Sequence, residues 1–266
     1  MSDLSLVNRG LAVGIPLSGK PTVPEWGISL AVQGWPINTA VNWLTIKGKE
    51  VAQARTDIVK ETLKHGVRYL WFIDEDVAVP HFAISKLMYV LRNRQMEDPK
   101  VMIVGGIYCT KTDPIAYPIV FKGNNTGPHW EWSIGDVFEC DGIGAGCMLI
   151  DTEIFKELEE PWFKTVDEVY DDMAIFLPGA APAILKNQGN EDSYFCLKVR
   201  QTGFKILAHG GVLCPHWNAR TGVAYVLPMD SYPVTSVKKE IRDLAEATYS
   251  ELLPDEKAEE MISQGA

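Results

Sequence analysis

A chain of 266 residues with 46% hydrophobic and 23% charged residues can bury the core of one large domain or two small ones, with disorder expected only at its ends. Its 25 Lys and Arg against 35 Asp and Glu leave a formal charge of −10, which argues against a broad nucleic-acid-coating surface but allows a local basic groove. The five scattered cysteines (Cys109, Cys140, Cys147, Cys196, Cys214) form no CxxC pair and read as buried thiols of a reducing, cytoplasmic setting, and neither a secretory leader nor a run of 18 apolar residues is found.

In chain order, GLAVGIPLSG (10–19) reads as a strand, Leu11 to Ile15, ended by a Pro/Gly turn that begins at Pro16. The turn-rich PTVPEWGISLAVQGWPIN admits either a short helix or a strand. KGKEVAQARTDIVKETLKHG (47–66) has helical spacing, with Val51, Ala54, Ile58 and Leu63 on one stripe and Gly66 as a stop. YLWFI, Tyr69 to Ile73, is an apolar strand. Pro80 starts a second helix with apolar residues at 82, 84, 87, 88 and 91, and VMIVGGIYC (101–109) is a β-branched strand. This alternation over 10–109 implies a parallel sheet covered by helices.

Beyond 110 the pattern changes to short strands and glycine-rich turns, including CDGIGAGCMLID, with a helix expected near Asp151 and Asp151 or Thr152 as its cap. Residues 161–190, rich in Pro, Gly and acids, read as a long mobile loop over a site or partly as acceptor-binding surface. EDSYFCLKVRQTG (191–203) is a helix ended by Gly203, and FKILAHGGVLCPHW (204–217) returns as a strand. A charged helical tail occupies about 236–263.

Chemistry is suggested first by the acids Asp74, Glu75 and Asp76, which end the Tyr69–Ile73 strand. In open α/β sheets ligands bind beyond the carboxyl ends of the strands. Alternation along an extended chain would put Asp74 and Asp76 on one side and Glu75 on the other. Two such carboxylates suit a hard divalent ion, magnesium or manganese, able to bridge a diphosphate; a solvated acidic turn is the plain alternative. Glu191 and Asp192 open a helix, where acids complement the helix dipole; one of them is equally a candidate to take a proton from an attacking hydroxyl. His216, in LCPHW, is either structural or a further metal ligand.

Taken together, these blocks resemble the nucleotide-diphospho-sugar glycosyltransferases of the A-type fold, over residues 10–217. ARTDIVKETLKHGVRYLWFIDEDVAVP is similar to the family's helix-arginine and DxD block, with Arg55, Asp74 and Asp76 at the matching positions, although Thr56 stands where Asn often follows the arginine. CDGIGAGCMLID resembles the glycine-rich acceptor-side strand, with Asp141, Gly144, Ala145 and Gly146. NEDSYFCLKVRQTGFKI resembles the ED block, whose second acid is often the base in inverting members, and LCPHW resembles the C-terminal metal-ligating histidine. The local character is nearest to the family-two type and, in the first block, to the fungal mannosyltransferases, which are retaining.

The resemblance implies one A-type domain over 1–235, with a nucleotide-binding half at 10–109 and an acceptor-binding half at 110–235, and a helical extension at 236–266. It implies a UDP- or GDP-linked sugar donor held near Pro16, Arg55, Asp74, Glu75 and Asp76, with Mn2+ or Mg2+ on Asp74, Asp76 and His216. Asp192, with Glu191 beside it, would act on the acceptor hydroxyl. Arg55 would pair with phosphate or with the acids, including Asp57. Trp162 and Trp130 are stacking platforms for an acceptor or packing residues of the core. The acceptor is a glycan, a protein or a small molecule; a nucleic-acid base is disfavoured by the charge. A nucleotidyltransferase is a weaker reading, since IPLSGKPTVPEWG carries one Lys and little glycine, and a non-catalytic carbohydrate-binding protein is weaker still.

Overall fold

The computed structural model describes residues 10–113, 116–123, 128–164 and 191–227. In chain order the described elements are β1 (Leu11–Leu17), α1 (Pro24–Ala31), β2 (Val41–Lys47), α2 (Val51–Lys64), β3 (Tyr69–Ile73), α3 (Ala83–Glu97), β4 (Val101–Ile107), β5 (Val120–Phe121), β6 (Val137–Cys140), β7 (Gly142–Ile143), β8 (Cys147–Asp151), a 3-10 turn (Thr152–Lys156), α4 (Glu191–Gln201), β9 (Lys205–Leu213), β10 (His216–Asn218) and β11 (Val223–Tyr225). Seven strands make one sheet in the order β2-β1-β3-β8-β4-β9-β6. β2, β1, β3, β4 and β9 share one direction, while β8 runs against them between β3 and β4, and β6 runs antiparallel at the edge. This mostly parallel, helix-flanked sheet is the α/β arrangement expected from the sequence.

Period-two alternation along the buried strands divides the core into two layers. Leu70 and Phe72 of β3 join Ile58 and Val59 of α2 and Phe195 of α4 on one face. Tyr69, Trp71 and Ile73 join Ile84, Leu87 and Leu91 of α3 on the other. Because one face of α2 and one face of α3 are thus pinned to opposite sides of β3, the loop after β3 emerges at a defined place on the sheet edge.

The structure also revises the sequence reading. The undecided stretch contains helix α1, with Pro24 in its first turn. β2 is an element the sequence does not announce: Val41–Lys47 alternates in the strand manner, but as the edge strand it is half exposed, so its apolar signal is diluted. α3 starts at Ala83, after a turn closed by the Ala83 N–H on the Pro80 carbonyl at 2.9 Å. Asp151 does act as a cap, but of a 3-10 turn, its Oδ1 accepting from the Glu153 N–H at 3.1 Å. Most of the expected 161–190 loop and the tail from 228 onward lie outside the described residues. Among the described residues no helix is long and apolar enough to cross a membrane.

This topology decides what meets at the sheet edge. β1, β3, β4 and β9 all end there, so Ser18, Asp74–Asp76, Tyr108–Lys111 and Cys214–His216 leave the sheet on the same side. β8, being antiparallel, brings its start there instead, which adds Gly144, Ala145 and Gly146.

Candidate active site

Arg55 is the centre of this edge. It rises from α2 with only 1% of its surface exposed, its guanidinium 5.4 Å from the Phe72 ring centroid. Its Nη2 lies 3.0 Å from Asp74 Oδ1 and donates to Asp74 Oδ2 at 3.2 Å. The same nitrogen donates to Glu191 Oε1 at 3.3 Å and lies 3.4 Å from Asp192 Oδ1. Burial disfavours the charged guanidinium, but the charges of Asp74, Asp192 and Glu191 outweigh it and hold its pKa well above the ordinary value. Of the expected partners, Arg55 therefore takes the acids. Asp57 is paired with Lys49 instead.

The acids after β3 do not share one side. The Val77 N–H donates to the Asp74 carbonyl at 3.2 Å, so residues 74–77 form a tight turn and strand alternation stops at Ile73. Asp74 points to Arg55, Glu75 accepts from the N–H of Ser18 at 3.1 Å and from its hydroxyl, and Asp76 faces Lys111 and His216. Trp26 Nε1 donates to the Asp74 carbonyl at 2.8 Å, and the Asp74 N–H donates to the Gly146 carbonyl at 3.2 Å. The turn is thereby tied to both α1 and β8.

Asp76 forms the second half of the site. Lys111 Nζ pairs with its Oδ2, and His216 Nε2 lies 3.3 Å from its Oδ1. Burial pushes the Asp76 carboxyl up, but His216 and Lys111 more than offset that and leave it below its usual range. The other His216 nitrogen, Nδ1, is 2.6 Å from the Cys109 carbonyl, which can only accept, so Nδ1 carries the proton. Nε2 is then the nitrogen that faces Asp76 Oδ1, 3.3 Å away. A backbone carbonyl that holds Nδ1 in this way fixes the orientation of the ring toward Asp76.

The third element is the glycine turn before β8. The Ala145 N–H donates to Asp192 Oδ2 at 2.9 Å, and the Gly146 N–H donates to the buried Tyr108 hydroxyl at 3.0 Å. A Cβ on Gly146 would stand 2.8 Å from Tyr108 Cζ, and one on Gly144 would overlap the hydroxyl itself. Only glycine fits at either position. Gly144→Ala is therefore expected to displace the turn and cost about 1–3 kcal/mol, the usual range for forcing a methyl into a packed site; urea unfolding reads it, and an unchanged midpoint would show that Tyr108 yields.

Asp192 is 7% exposed. Burial and the neighbouring Glu191 charge raise its carboxyl well above the ordinary value, against the opposing pull of Arg55. Desolvation and crowding by Glu191 thus oppose the ionised form of Asp192, against Arg55 and the Ala145 N–H, which favour it. Arg55 Nη1, Asp74 Oδ1 and Asp192 Oδ1 are buried without a hydrogen bond among the described residues, so polar capacity remains at the centre of the site.

Other expected site residues fall elsewhere. Pro16 is buried inside β1, opposite Ile46, and the turn proper begins at Ser18. Asp141 pairs with Arg200 at 3.0 Å and accepts from the Gly123 N–H, which makes it an anchor for the β5–β7 layer. Trp162 is 4% exposed, packs on Phe155 with ring centroids 5.1 Å apart and donates to the Leu158 carbonyl, so it fills the core and offers no stacking face. Trp130 is half-buried. Among the described residues no three His, Cys, Asp or Glu side chains gather as a metal site: Asp76 and His216 meet, while Asp74 turns to Arg55. The sequence reading missed Tyr108, Lys111, Trp26 and Ser18. Lys111 was within reach of the carboxyl-end rule, since it follows β4 by four residues.

No protein-family model matches this chain, and no curated protein sequence does. Solved structures do. A197 from STIV superimposes with a TM-score of 0.52 at 16% identity, over 85% of this chain and 97% of that one. TarS of S. aureus, as residues 1–349 in complex with UDP, gives a TM-score of 0.42 at 11% identity over 76% of this chain and 58% of that one. A second TarS structure gives 0.42 at 10% identity over 75% and 35%. The A197 match establishes a shared fold; the TarS matches, in which this chain spans about half of the other or less, add nothing to it. None of the three is a fungal mannosyltransferase.

Proposed function

We propose that this chain is a glycosyltransferase that moves a sugar from a UDP- or GDP-linked donor to an acceptor hydroxyl. The observation that carries the reading is the convergence of Asp74, Glu191 and Asp192 on one buried arginine, beside the Asp76–His216 pair, at the carboxyl edge of the sheet. In the reaction the acceptor oxygen bonds to the anomeric carbon, the bond from that carbon to the diphosphate breaks, and the nucleoside diphosphate leaves with the electron pair. Asp192 accepts the hydroxyl proton. Arg55 holds Asp192, Glu191 and Asp74 in register, and the Ala145 N–H fixes the Asp192 oxygen that does not face Arg55.

A divalent cation fits the residues present. Asp76 and His216 supply a carboxylate oxygen and an imidazole nitrogen with its tautomer already set, while Asp74 Oδ1, 3.0 Å from Arg55 Nη2, stays with the arginine. Bound there, Mn2+ or Mg2+ would offset the charge that builds on the leaving diphosphate. Asp76→Ala is expected to abolish metal-dependent nucleotide binding with the fold retained, and His216→Ala to weaken Mn2+ binding by about tenfold or more. Calorimetric titration measures both; wild-type affinities in the variants would return the pair to a structural role.

Activity should depend on pH through Asp192. Its raised pKa means that the proton-accepting form appears only as pH rises through that value, so the acid limb of kcat is expected above the ordinary carboxylate range. A limb at an ordinary carboxylate pKa would assign it to another group.

One observation favours a second reading. Asp192 is buried, with one oxygen on Ala145 and the other facing Arg55, which suits an anchoring acid as well as a base. In that case the reaction is retaining, as the likeness of the first block to the fungal mannosyltransferases suggests, and the donor phosphate takes the proton. The deciding experiment is a nucleotide-release screen over UDP- and GDP-sugars with glycan, protein and small-molecule acceptors, followed by the anomeric configuration of the product. Preference for nucleoside triphosphates would point to nucleotidyl transfer, and sugar binding without release to a carbohydrate-binding protein.

A further inference from the structure

Among the described residues, Lys111 is the charged contact of Asp76 that has no part in the reaction above. It starts the segment that follows Thr110, and the backbone on its N-terminal side is held tightly. The Ile119 N–H donates to the Tyr108 carbonyl at 2.8 Å, the Thr110 N–H to the Tyr117 carbonyl at 2.8 Å, and the Tyr117 N–H to Thr110 Oγ1 at 3.0 Å. Cys109, two residues before Lys111, supplies the carbonyl that orients His216. The same short segment thus sets the histidine and carries the ammonium that covers its carboxylate neighbour. Lys111 is 27% exposed along its side chain and Asp76 32%, so the pair sits at the mouth of the site and not in the core.

We propose that Lys111 occupies the cation position on Asp76 in the free protein and moves to the donor diphosphate when a divalent cation binds, so that cation and nucleotide bind cooperatively. The inference rests on the reading of this site as a nucleotide-sugar site. A lysine suits the role: its ammonium is a point charge on a flexible four-carbon stem, able to leave one anion for another while its backbone stays fixed. A divalent ion at Asp76 and His216 would share a carboxylate with the ammonium and repel it. Without a diphosphate the displaced lysine has no new anion and cation binding is penalised. With a diphosphate present it gains a partner, and by linkage each ligand strengthens the other.

The test is titration of the full chain with MnCl2 alone, and again with UDP or GDP present, for wild type, Lys111→Met, Lys111→Gln and Lys111→Arg. Lys111→Met and Lys111→Gln are expected to bind Mn2+ alone about tenfold or more tighter than wild type, and to lose most of the gain in Mn2+ affinity that the diphosphate confers. Lys111→Arg, which keeps the charge, should behave like wild type. The proposal is overturned if removing the charge leaves Mn2+ affinity unchanged or weaker while Asp76→Ala still abolishes it, since Lys111 is then an ordinary ion-pair partner. It is also overturned if neither wild type nor Lys111→Met binds Mn2+, a result that removes the cation from Asp76 and His216 altogether. Glycosyl transfer itself is judged apart from both outcomes, by nucleotide release in EDTA.

Discussion

Arg55→Met is expected to lower folding stability by about 3–5 kcal/mol, the range for breaking a buried ion pair from one side. The arginine is 1% exposed, and its three partners Asp74, Glu191 and Asp192 keep only 24%, 11% and 10% of their side-chain surface. Removing the cation leaves three carboxylates crowded together with little solvent, and each must lose its charge or move. Methionine fills much of the stem volume, so the loss reports electrostatics more than a cavity. Arg55→Lys should be milder but still harmful, because an ammonium lacks the second donor, Nε, which lies 3.4 Å from Glu191 Oε1 beside the Nη2 contacts. Urea unfolding gives the values. Adding Asp192→Asn to Arg55→Met should restore part of the stability, since one of the stranded charges is gone. A single variant within about 1 kcal/mol of wild type, the level of an exposed pair, would mean that water reaches these acids and that Arg55 is not their organiser.

Asp192→Asn is expected to slow transfer by at least about 10²-fold, the usual contribution of a positioned general base. The amide keeps an oxygen for the Ala145 N–H, at 2.9 Å in the parent, and relieves repulsion from Glu191, so the fold should be at least as stable. What disappears is the group that accepts the proton. Donor and cation binding should change little, because Asp192 faces Ala145 and Arg55 and not the Asp76–His216 pair. Glu191→Gln should have the smaller effect on turnover, as its carboxylate serves Arg55. Turnover with an acceptor, together with nucleotide affinity, separates the cases. Near wild-type transfer by Asp192→Asn, or a product that keeps the donor's anomeric configuration, would replace the base role with the retaining mechanism.

Much of this architecture was legible in the chain itself. The apolar strand Tyr69–Ile73, the amphipathic helix around Arg55 and the β-branched run at 101–107 carry local signals, 3.6-residue and two-residue periods and punctuating Gly and Pro, that survive without tertiary context. The candidate acids were visible for the same reason, since charge at the end of an apolar strand stands out wherever the strand lies. Their partners were not. Alternation predicted that Asp74 and Asp76 would face one way, and the 74–77 turn, closed by one hydrogen bond and tied to Trp26 and Gly146, sent them apart. Trp162 carried no mark in the sequence to distinguish a sugar platform from a core residue, and its burial against Phe155 decided the matter.

By itself, then, the sequence determined the element types on the nucleotide side, the composition of the core and the identity of the acidic residues, because those depend on neighbours a few positions away. Only the tertiary structure decided that β8 enters antiparallel between β3 and β4. Those pairings join residues 74 to 82 positions apart on the β3 side and 43 to 47 apart on the β4 side, and they rest on sheet hydrogen bonds and two-sided burial, not on local preference. From them follow the arrival of Gly144–Gly146 beside Tyr108, the seat of Asp192 on the Ala145 N–H and the meeting of three acids on Arg55. A buried charge is stable only where its partners converge, and convergence belongs to the fold.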